Sequence, residues 1–372
     1  MRTAEPTEPV PAAPPSLPRI AAASLAGTAI EFYDFFIYGT AAALVLGPLF
    51  FPTFSPLAGT LAAFATFGVG FVARPLGSVV FGHIGDRHGR RPMLLASLLL
   101  TGIATVAVGC VPTYESIGIG APLLLKSLGK CAVLGGGPAR GRRARAAHLA
   151  GGEPGLPAAA AARARTARRG GPGHWRLVLL TAGAMAVGYA VFYAVTTWSL
   201  AYGVERLGVS RTVMLACVMA AVVVKGALTP VVAVLGDRFG RRPLCLIGCA
   251  ASALWMFPMV ALLSTGEPLA MFTGFLVALL AFITMFAVVA AYLPELYEPQ
   301  VRCTGAAVGY NLGGALGGAL TPIVATALAQ GDRKPWGVAA YLSGTALLSL
   351  GCFALLPETR PVAASDPAAA TG

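Results

Sequence analysis

Apolar segments of about 20 residues recur along most of the chain, and they constrain its fold more than any other feature. A segment of that length matches an α-helix that crosses about 30 Å of hydrocarbon. Lipid offers the backbone no hydrogen-bond partner, so a spanning element is either a helix or part of a closed barrel. Barrel strands alternate apolar and polar residues over about ten positions, and these segments do not. The sequence therefore predicts an all-α polytopic membrane protein.

Composition supports this prediction and argues against other classes. Charged residues make up 11% of the chain and its mean hydropathy is +0.75, whereas soluble domains carry about 25% charged residues. The net charge of +12 lies in short loops and one linker, as expected for cytoplasmic segments, so we predict no nucleic-acid partner. The cysteines lie mostly in apolar runs without metal-ligand spacing. With no nucleotide-binding loop or nucleophile triad visible, we predict no metal, no cofactor and no enzyme activity.

The hydropathy pattern predicts about ten spans. They cover 20–46, 57–81, 93–112, 117–137, 175–201, 211–235, 244–264, 269–293, 303–329 and 337–356. We divide the chain into a disordered cytoplasmic tail (1–19), an incomplete N-terminal helix bundle (20–137), a basic cytoplasmic linker (138–174), a six-helix C-terminal bundle (175–360) and a disordered tail (361–372). Around the linker, residues 131–173 contain 13 Ala, 10 Gly, 8 Arg and 4 Pro, a composition that cannot form a span.

The number of crossings tests the least apolar span, 117–137, which carries two lysines. The basic loops at 86–91 and 237–242 should both be cytoplasmic, so an even number of crossings must separate them. Three strong spans lie between them, and 117–137 is needed as the fourth. The result is a ten-span model with both termini in the cytoplasm.

Those two basic loops are copies of one pattern. The shared residues are Gly82, Asp86, Arg87, Gly89, Arg90 and Arg91 in the first copy, and Gly236, Asp237, Arg238, Gly240, Arg241 and Arg242 in the second. A repeat of this kind, placed after one span and before the next, predicts two halves descended from one unit.

The pattern resembles the signature loop of the major facilitator superfamily. Other segments narrow the resemblance to its metabolite:proton symporter branch, which includes permeases for shikimate, α-ketoglutarate, citrate, and proline or betaine. These segments lie at 30–39, 70–77, 294–297 with 301–305, and 356–360. The resemblance implies a major-facilitator fold, a small-molecule substrate and protons as partners, and a location in the cytoplasmic membrane; it leaves the oligomeric state open.

The chain departs from this family in one region. Members of the family have twelve helices, but the resemblance stops near Leu125 and resumes near Trp175, where the seventh helix begins. We therefore expect the fourth helix to be degraded and the fifth and sixth to be missing. An Ala-, Arg-, Gly- and Pro-rich segment is what a GC-rich gene gives when it is read out of frame, so a frame disruption is one explanation.

Ionisable residues inside the spans are candidates for transport chemistry. Glu31 and Asp34 lie on one face of the first span with Tyr38 one turn further, and could carry protons, contact substrate or form a structural ion pair. Arg74 lies near the membrane midplane and is a counter-charge either for those acids or for an anionic substrate. Lys225 has the same two alternatives, and Asn311 is a candidate polar cavity residue, while the glycines around it suit close helix packing.

For the signature loops, the resemblance implies charge pairs that hold the helices in one transport state. Retention of basic loops in the cytoplasm explains the arginines equally well. The resemblance as a whole predicts secondary active, proton-coupled symport of an organic acid or zwitterion, at a site between the halves. The alternative is a truncated or frame-disrupted remnant that inserts without transporting.

Overall fold

The computed structural model describes residues 39–88, the single positions 99, 103, 106 and 110, and the segments 174–298, 302–330 and 335–359. All regular structure in these ranges is helical. We number the helices α1 (Ala42–Leu46 and Gly47–Phe50), α2 (Pro56–His88), α3 (His174–Tyr193, Ala194–Trp198 and Ser199–Glu205), α4 (Arg211–Phe239), α5 (Arg241–Leu263), α6 (Pro268–Glu295), α7 (Arg302–Gly314, Ala315–Ala319 and Leu320–Leu328) and α8 (Trp336–Leu355). The middle segments of α3 and α7 and the first of α1 are π-helical turns.

Six of the described helices, α3 to α8, are long and apolar enough to cross a membrane. They coincide with the six spans predicted for the second half, with ends that differ by a few residues. The predicted all-α polytopic architecture is therefore confirmed. Of the first half, the structure describes the end of the first span and the second span, while the predicted spans 93–112 and 117–137 lie almost wholly outside the described residues.

Two predicted boundaries were wrong. The second span was expected to end at residue 81, but α2 continues to His88, so Gly82, Asp86 and Arg87 belong to its last two turns. The loop expected at 237–242 is a single residue, Gly240, between the end of α4 and the start of α5. Hydropathy marks where the apolar stretch ends, but a helix continues into the polar headgroup region, where polar side chains are solvated.

The second half packs around α3. Of the most apolar stretch of α3, 83% is buried by the rest of the protein. The corresponding share is 11% for α4, which lies at the periphery. Polar contacts join the helices in the interior: the Ser349 hydroxyl donates to the Gly183 carbonyl at 2.7 Å, and the Ser343 hydroxyl donates to the Ala253 carbonyl at 2.7 Å. Such bonds, together with close packing, hold helices together where lipid supplies no hydrophobic driving force between them.

Helix α7 lies between α3 and α2 and connects the two halves. Its glycines allow this: a Cβ at Gly313 would lie 2.5 Å from the Met185 Cβ and 2.7 Å from the Ala182 carbonyl oxygen, and a Cβ at Gly317 would meet the Ala186 backbone. The backbones of α7 and α3 therefore touch along this face. The structure confirms that these glycines serve close helix packing.

Candidate functional site

Seven aromatic side chains form a closed circle of contacts where α2 of the first half meets α3, α6 and α7 of the second. Neighbouring ring centroids lie 4.7 to 6.4 Å apart, within the range that aromatic pairs favour. In order of contact, this aromatic circle consists of Phe71, Tyr189, Tyr310, Phe286, Phe282, Phe192 and Tyr193. The π-helical turn of α3 begins directly after Tyr193. Such turns are frequent at functional sites.

Arg74 lies on one side of the aromatic circle. It is close to the midpoint of the 33-residue helix α2, only 6% of it is exposed, and its Cζ lies 5.2 Å from the centroid of the Phe71 ring. A guanidinium over an aromatic face gains electrostatic attraction from the ring quadrupole, and more so where water is excluded. The structure thus places Arg74 near the middle of α2, against the ring that α2 contributes to the aromatic circle. Its depth in the membrane stays a prediction.

Lys225 contacts two other rings of the circle. It is the middle residue of α4, and its Nζ lies 5.7 Å from the Phe192 centroid and 5.1 Å from the Phe282 centroid. The ammonium therefore lies on the side of α4 that packs against the bundle. Most of the rest of α4 is not covered by other helices. Among the described residues, Arg74 and Lys225 are the charged side chains that lie over rings of the circle, and both are cations.

Both cations can bind an anionic group, and a guanidinium can bind a carboxylate in a bidentate manner. Charge-assisted contacts of this kind gain strength in a site with little water.

Of the other residues predicted to bind substrate or protons, the structure describes only Asn311. The Asn311 side chain is half-buried and donates to the Ala307 carbonyl at 2.9 Å, one turn back on α7 and adjacent to Tyr310 of the circle. Glu31, Asp34 and Tyr38 lie outside the described residues. Gly39, the next residue, lies against α3: a Cβ there would be 2.6 Å from the Thr197 hydroxyl.

The second signature loop lies in a polar cluster at one end of the bundle. Arg241 forms an ion pair with Glu295 at the end of α6, and Arg242 Nε donates to the Phe353 carbonyl at 3.2 Å, near the end of α8. Both arginines start α5, directly after Gly240, whose φ of 102° is in the region that favours glycine. The loop thus ties the ends of α5, α6 and α8 together.

Glu358 completes this cluster. Its carboxylate accepts the backbone N–H groups of Arg241 and Arg242 at 3.3 and 3.2 Å. These N–H groups begin α5 and have no partner within the helix, so the carboxylate caps the helix from a segment 116 residues away and complements the positive end of its dipole. Nearby, the Tyr292 hydroxyl donates to the Pro357 carbonyl at 2.6 Å, which fixes the chain that carries Glu358.

Tyr297 joins the same end of α6 to α3. Its hydroxyl lies 2.7 Å from the Thr181 hydroxyl, and its ring lies 2.5 Å from the position of a Cβ on Gly305. Burial raises the pKa of the Tyr297 phenol, and the hydrogen bond with Thr181 opposes that rise. The phenol is therefore neutral at physiological pH.

The remaining signature residues are only partly described. Gly236 is buried against Val288 and Arg238 is exposed, whereas the side chains of Asp237, Asp86 and Arg87 lie outside the described set. Gly82 is helical, and Gly89, Arg90 and Arg91 lie beyond the described residues. A role for these residues in holding one transport state stays a prediction.

Several residues of the site were missed from the sequence. The motif segments that contain Glu295, Tyr297 and Glu358 were noted, but no contact was assigned to them. The aromatic circle was not identified, although Tyr189, Phe192 and Tyr193 are spaced to lie on one side of a helix. A search for aromatic residues at helical spacing would have found half of it.

Replacing Glu358 with alanine is expected to lower the free energy of unfolding by about 1 kcal/mol, since side-chain caps contribute ~0.5–2 kcal/mol. The measurement is the thermal midpoint of the detergent-solubilised protein. Glu298→Ala is the matched control, because Glu298 is another exposed carboxylate at the same end of α6. Equal midpoints for the two variants would contradict the capping role.

A membrane-spanning bundle with cations on aromatic faces between two halves has the organisation of a small-molecule carrier. Comparison with known proteins establishes this class. The model of the sugar (and other) transporter family matches residues 20–124 and 164–363. The chain belongs to this family, whose members are transporters rather than enzymes.

Its relatives include bacterial metabolite transporters. The inner membrane metabolite transport protein YhjE of Escherichia coli (strain K12) is 33% identical over 420 aligned positions, which cover 92% of this chain and 94% of the relative. The shikimate transporter of the same organism is 30% identical, with 92% and 95% covered. Among solved structures, a D-xylose-proton symporter superposes with a TM-score of 0.63 at 16% identity, covering 92% of this chain and 99% of that one. That likeness shows the fold.

Proposed function

We propose that this protein is a proton-coupled symporter of a small anionic or zwitterionic metabolite in the cytoplasmic membrane. The observation that carries the proposal is that two cations, Arg74 and Lys225, lie against different rings of the aromatic circle. A guanidinium and an ammonium can each bind a carboxylate, which favours an organic acid. The relatives named for shikimate and for proline or betaine transport fit this substrate range, because each of those compounds carries a carboxylate.

Glu31 and Asp34 are the proposed proton carriers, with Tyr38 beside them. A carboxylate in a low-dielectric site binds a proton more readily than one in water, so it can load and release protons as access alternates. Arg74 would then alternate between the substrate and these acids. Asn311 would supply a polar contact from α7.

We also propose the membrane orientation. The basic loops and the linker at 138–174 carry most of the positive charge, so they would face the cytoplasm together with both termini. The cluster of Arg241, Glu295 and Glu358 then lies at the cytoplasmic face, where it would hold the ends of α5, α6 and α8 together in one transport state.

A second candidate function is that of a remnant that inserts but does not transport. The alignment to the metabolite transport protein has 420 positions, more than the 372 residues of this chain, so the relative has residues that this chain lacks. The family model leaves 125–163 unmatched, and α4 is the least buried of the six spans. These observations support the loss of part of the first half.

Uptake separates the two candidates. Cells lacking their own carriers would express this chain, or a completed chain in which 125–163 is replaced by the corresponding segment of the E. coli relative. Radiolabelled shikimate, proline and glycine betaine serve as probes, with and without a protonophore. We expect protonophore-sensitive accumulation of at least one probe, and Asp34→Asn should abolish that accumulation while leaving exchange of the probe across the membrane.

The two chains provide the contrast. Accumulation by this chain itself supports symport; accumulation by the completed chain alone supports the remnant. Uphill accumulation that persists in Asp34→Asn would remove Asp34 from the mechanism. Failure of both chains, when both are present in the membrane, would contradict the proposed substrate range.

A further inference from the structure

Phe71 is an aromatic side chain of the first half that is enclosed by the second half. Only 2% of it is exposed. Its ring meets Tyr189 edge-on at a centroid distance of 6.1 Å and Tyr193 at 5.4 Å, both on α3. It is the one member of the aromatic circle that α2 provides, so the circle closes through it.

Helix α7 packs against the other side of the Phe71 ring, and it presents two glycines there. A Cβ on Gly314 would lie 3.4 Å from a carbon of the Phe71 ring, and a Cβ on Gly318 would lie 2.8 Å from another. The second distance is too short for a carbon–carbon contact. Because α7 has no side chain at these positions, its backbone forms a notch that the Phe71 ring fills.

Arg74 packs against this nearly buried ring. The guanidinium lies over the ring, one helical turn further along α2. The ring that fills the notch is thus also the support of a buried cation. Any change in the fit between α2 and α7 moves the surface against which Arg74 packs.

We propose that Phe71 is a positioning residue: by filling the Gly314–Gly318 notch, its ring fixes the place of the Arg74 guanidinium relative to α3 and α7. The role of Arg74 toward substrate rests on the proposed function, but its placement by Phe71 does not. A bulky aliphatic residue would fill part of the notch without offering a flat face to the guanidinium. A tyrosine would preserve that face.

Chemical modification of Arg74 tests this placement without requiring transport. The purified chain would be treated with phenylglyoxal, which modifies accessible arginines, and the extent of modification at Arg74 would be measured by mass spectrometry, with the exposed Arg206 as internal reference. We expect Phe71→Leu to raise Arg74 modification at least threefold. Phe71→Tyr should keep it near the level of the parent chain.

Phe64→Leu is the matched control, because Phe64 is a fully buried phenylalanine on the same helix, two turns before Phe71. It should lower thermal stability while leaving Arg74 protected. Equal modification of Arg74 in Phe64→Leu and Phe71→Leu, or no increase in either, would overturn the proposal, since general loosening of the fold would then account for the data.

A second measurement addresses the notch. Gly318→Ala adds the methyl group that the ring excludes, so its thermal midpoint should fall by several degrees in the parent chain and by clearly less in Phe71→Leu. Gly351→Ala is the control, because a Cβ there meets no atom within 4 Å; its effect should be the same in both backgrounds. Additive losses for Gly318→Ala and Phe71→Leu would show that the ring does not occupy this notch.

Discussion

Gly313→Leu is expected to leave almost no folded protein in the membrane. The Cβ alone would lie 2.5 Å from the Met185 Cβ and 2.7 Å from the Ala182 carbonyl oxygen, so α7 would have to move away from α3. Overpacking a core costs about 1–3 kcal/mol for extra methylene groups that can be partly accommodated. Here a backbone atom is in the way, so the helix itself must move.

The measurement is the yield of monodisperse protein in size-exclusion chromatography after detergent extraction. Gly351→Leu is the matched control, since a Cβ at this helical glycine of α8 meets no atom within 4 Å. We expect at least a tenfold lower yield for Gly313→Leu than for the control. Similar yields would mean that α7 and α3 do not pack as closely as the structure shows.

Lys225→Met is expected to weaken transport of an anionic probe by about 10- to 100-fold in kcat/KM, because hydrogen bonds to charged groups contribute ~1.5–3 kcal/mol. Methionine has a similar length and packs well against aromatic rings, so its thioether can replace the ammonium against Phe192 and Phe282. The change therefore removes the charge with little loss of packing. Uptake would be measured in the chain that accumulates the probe.

Thermal stability decides between the two roles foreseen for Lys225. If its partner is the substrate, the variant keeps the thermal midpoint of the parent but loses the stabilisation that saturating probe confers. If Lys225 instead forms a structural ion pair, the midpoint itself falls. Arg176→Met, at an exposed cation near the start of α3, controls for the loss of one positive charge. Unchanged uptake and stability in Lys225→Met would exclude both roles.

Hydropathy predicted the spans of the second half well because burial in lipid requires every residue of a span to be compatible with hydrocarbon. It could not predict where the helices end. Residues 82–88 extend α2, and a single glycine separates α4 from α5. Both differences arise where an apolar stretch gives way to polar residues, and there a helix and a loop are equally compatible with the composition.

The position of Arg74 and Lys225 near the middle of their helices was also predictable, because distance along a helix is proportional to residue number. Their surroundings were not. The aromatic circle brings together residues as distant in sequence as Phe71 and Tyr310, and Glu358 caps a helix that begins at Arg241. Such contacts depend on how helices pack, which a single sequence does not specify.

The one-residue turn at Gly240 has a mechanical consequence. Phe239 ends α4 and Arg241 starts α5, so no flexible linker separates the two helices. If α4 tilts, the first turn of α5 must move with it. The Glu295 and Glu358 carboxylates, which bind that turn, would move as well. A displacement of α4 that begins at Lys225, halfway along the helix, would therefore be transmitted to the ends of α5, α6 and α8.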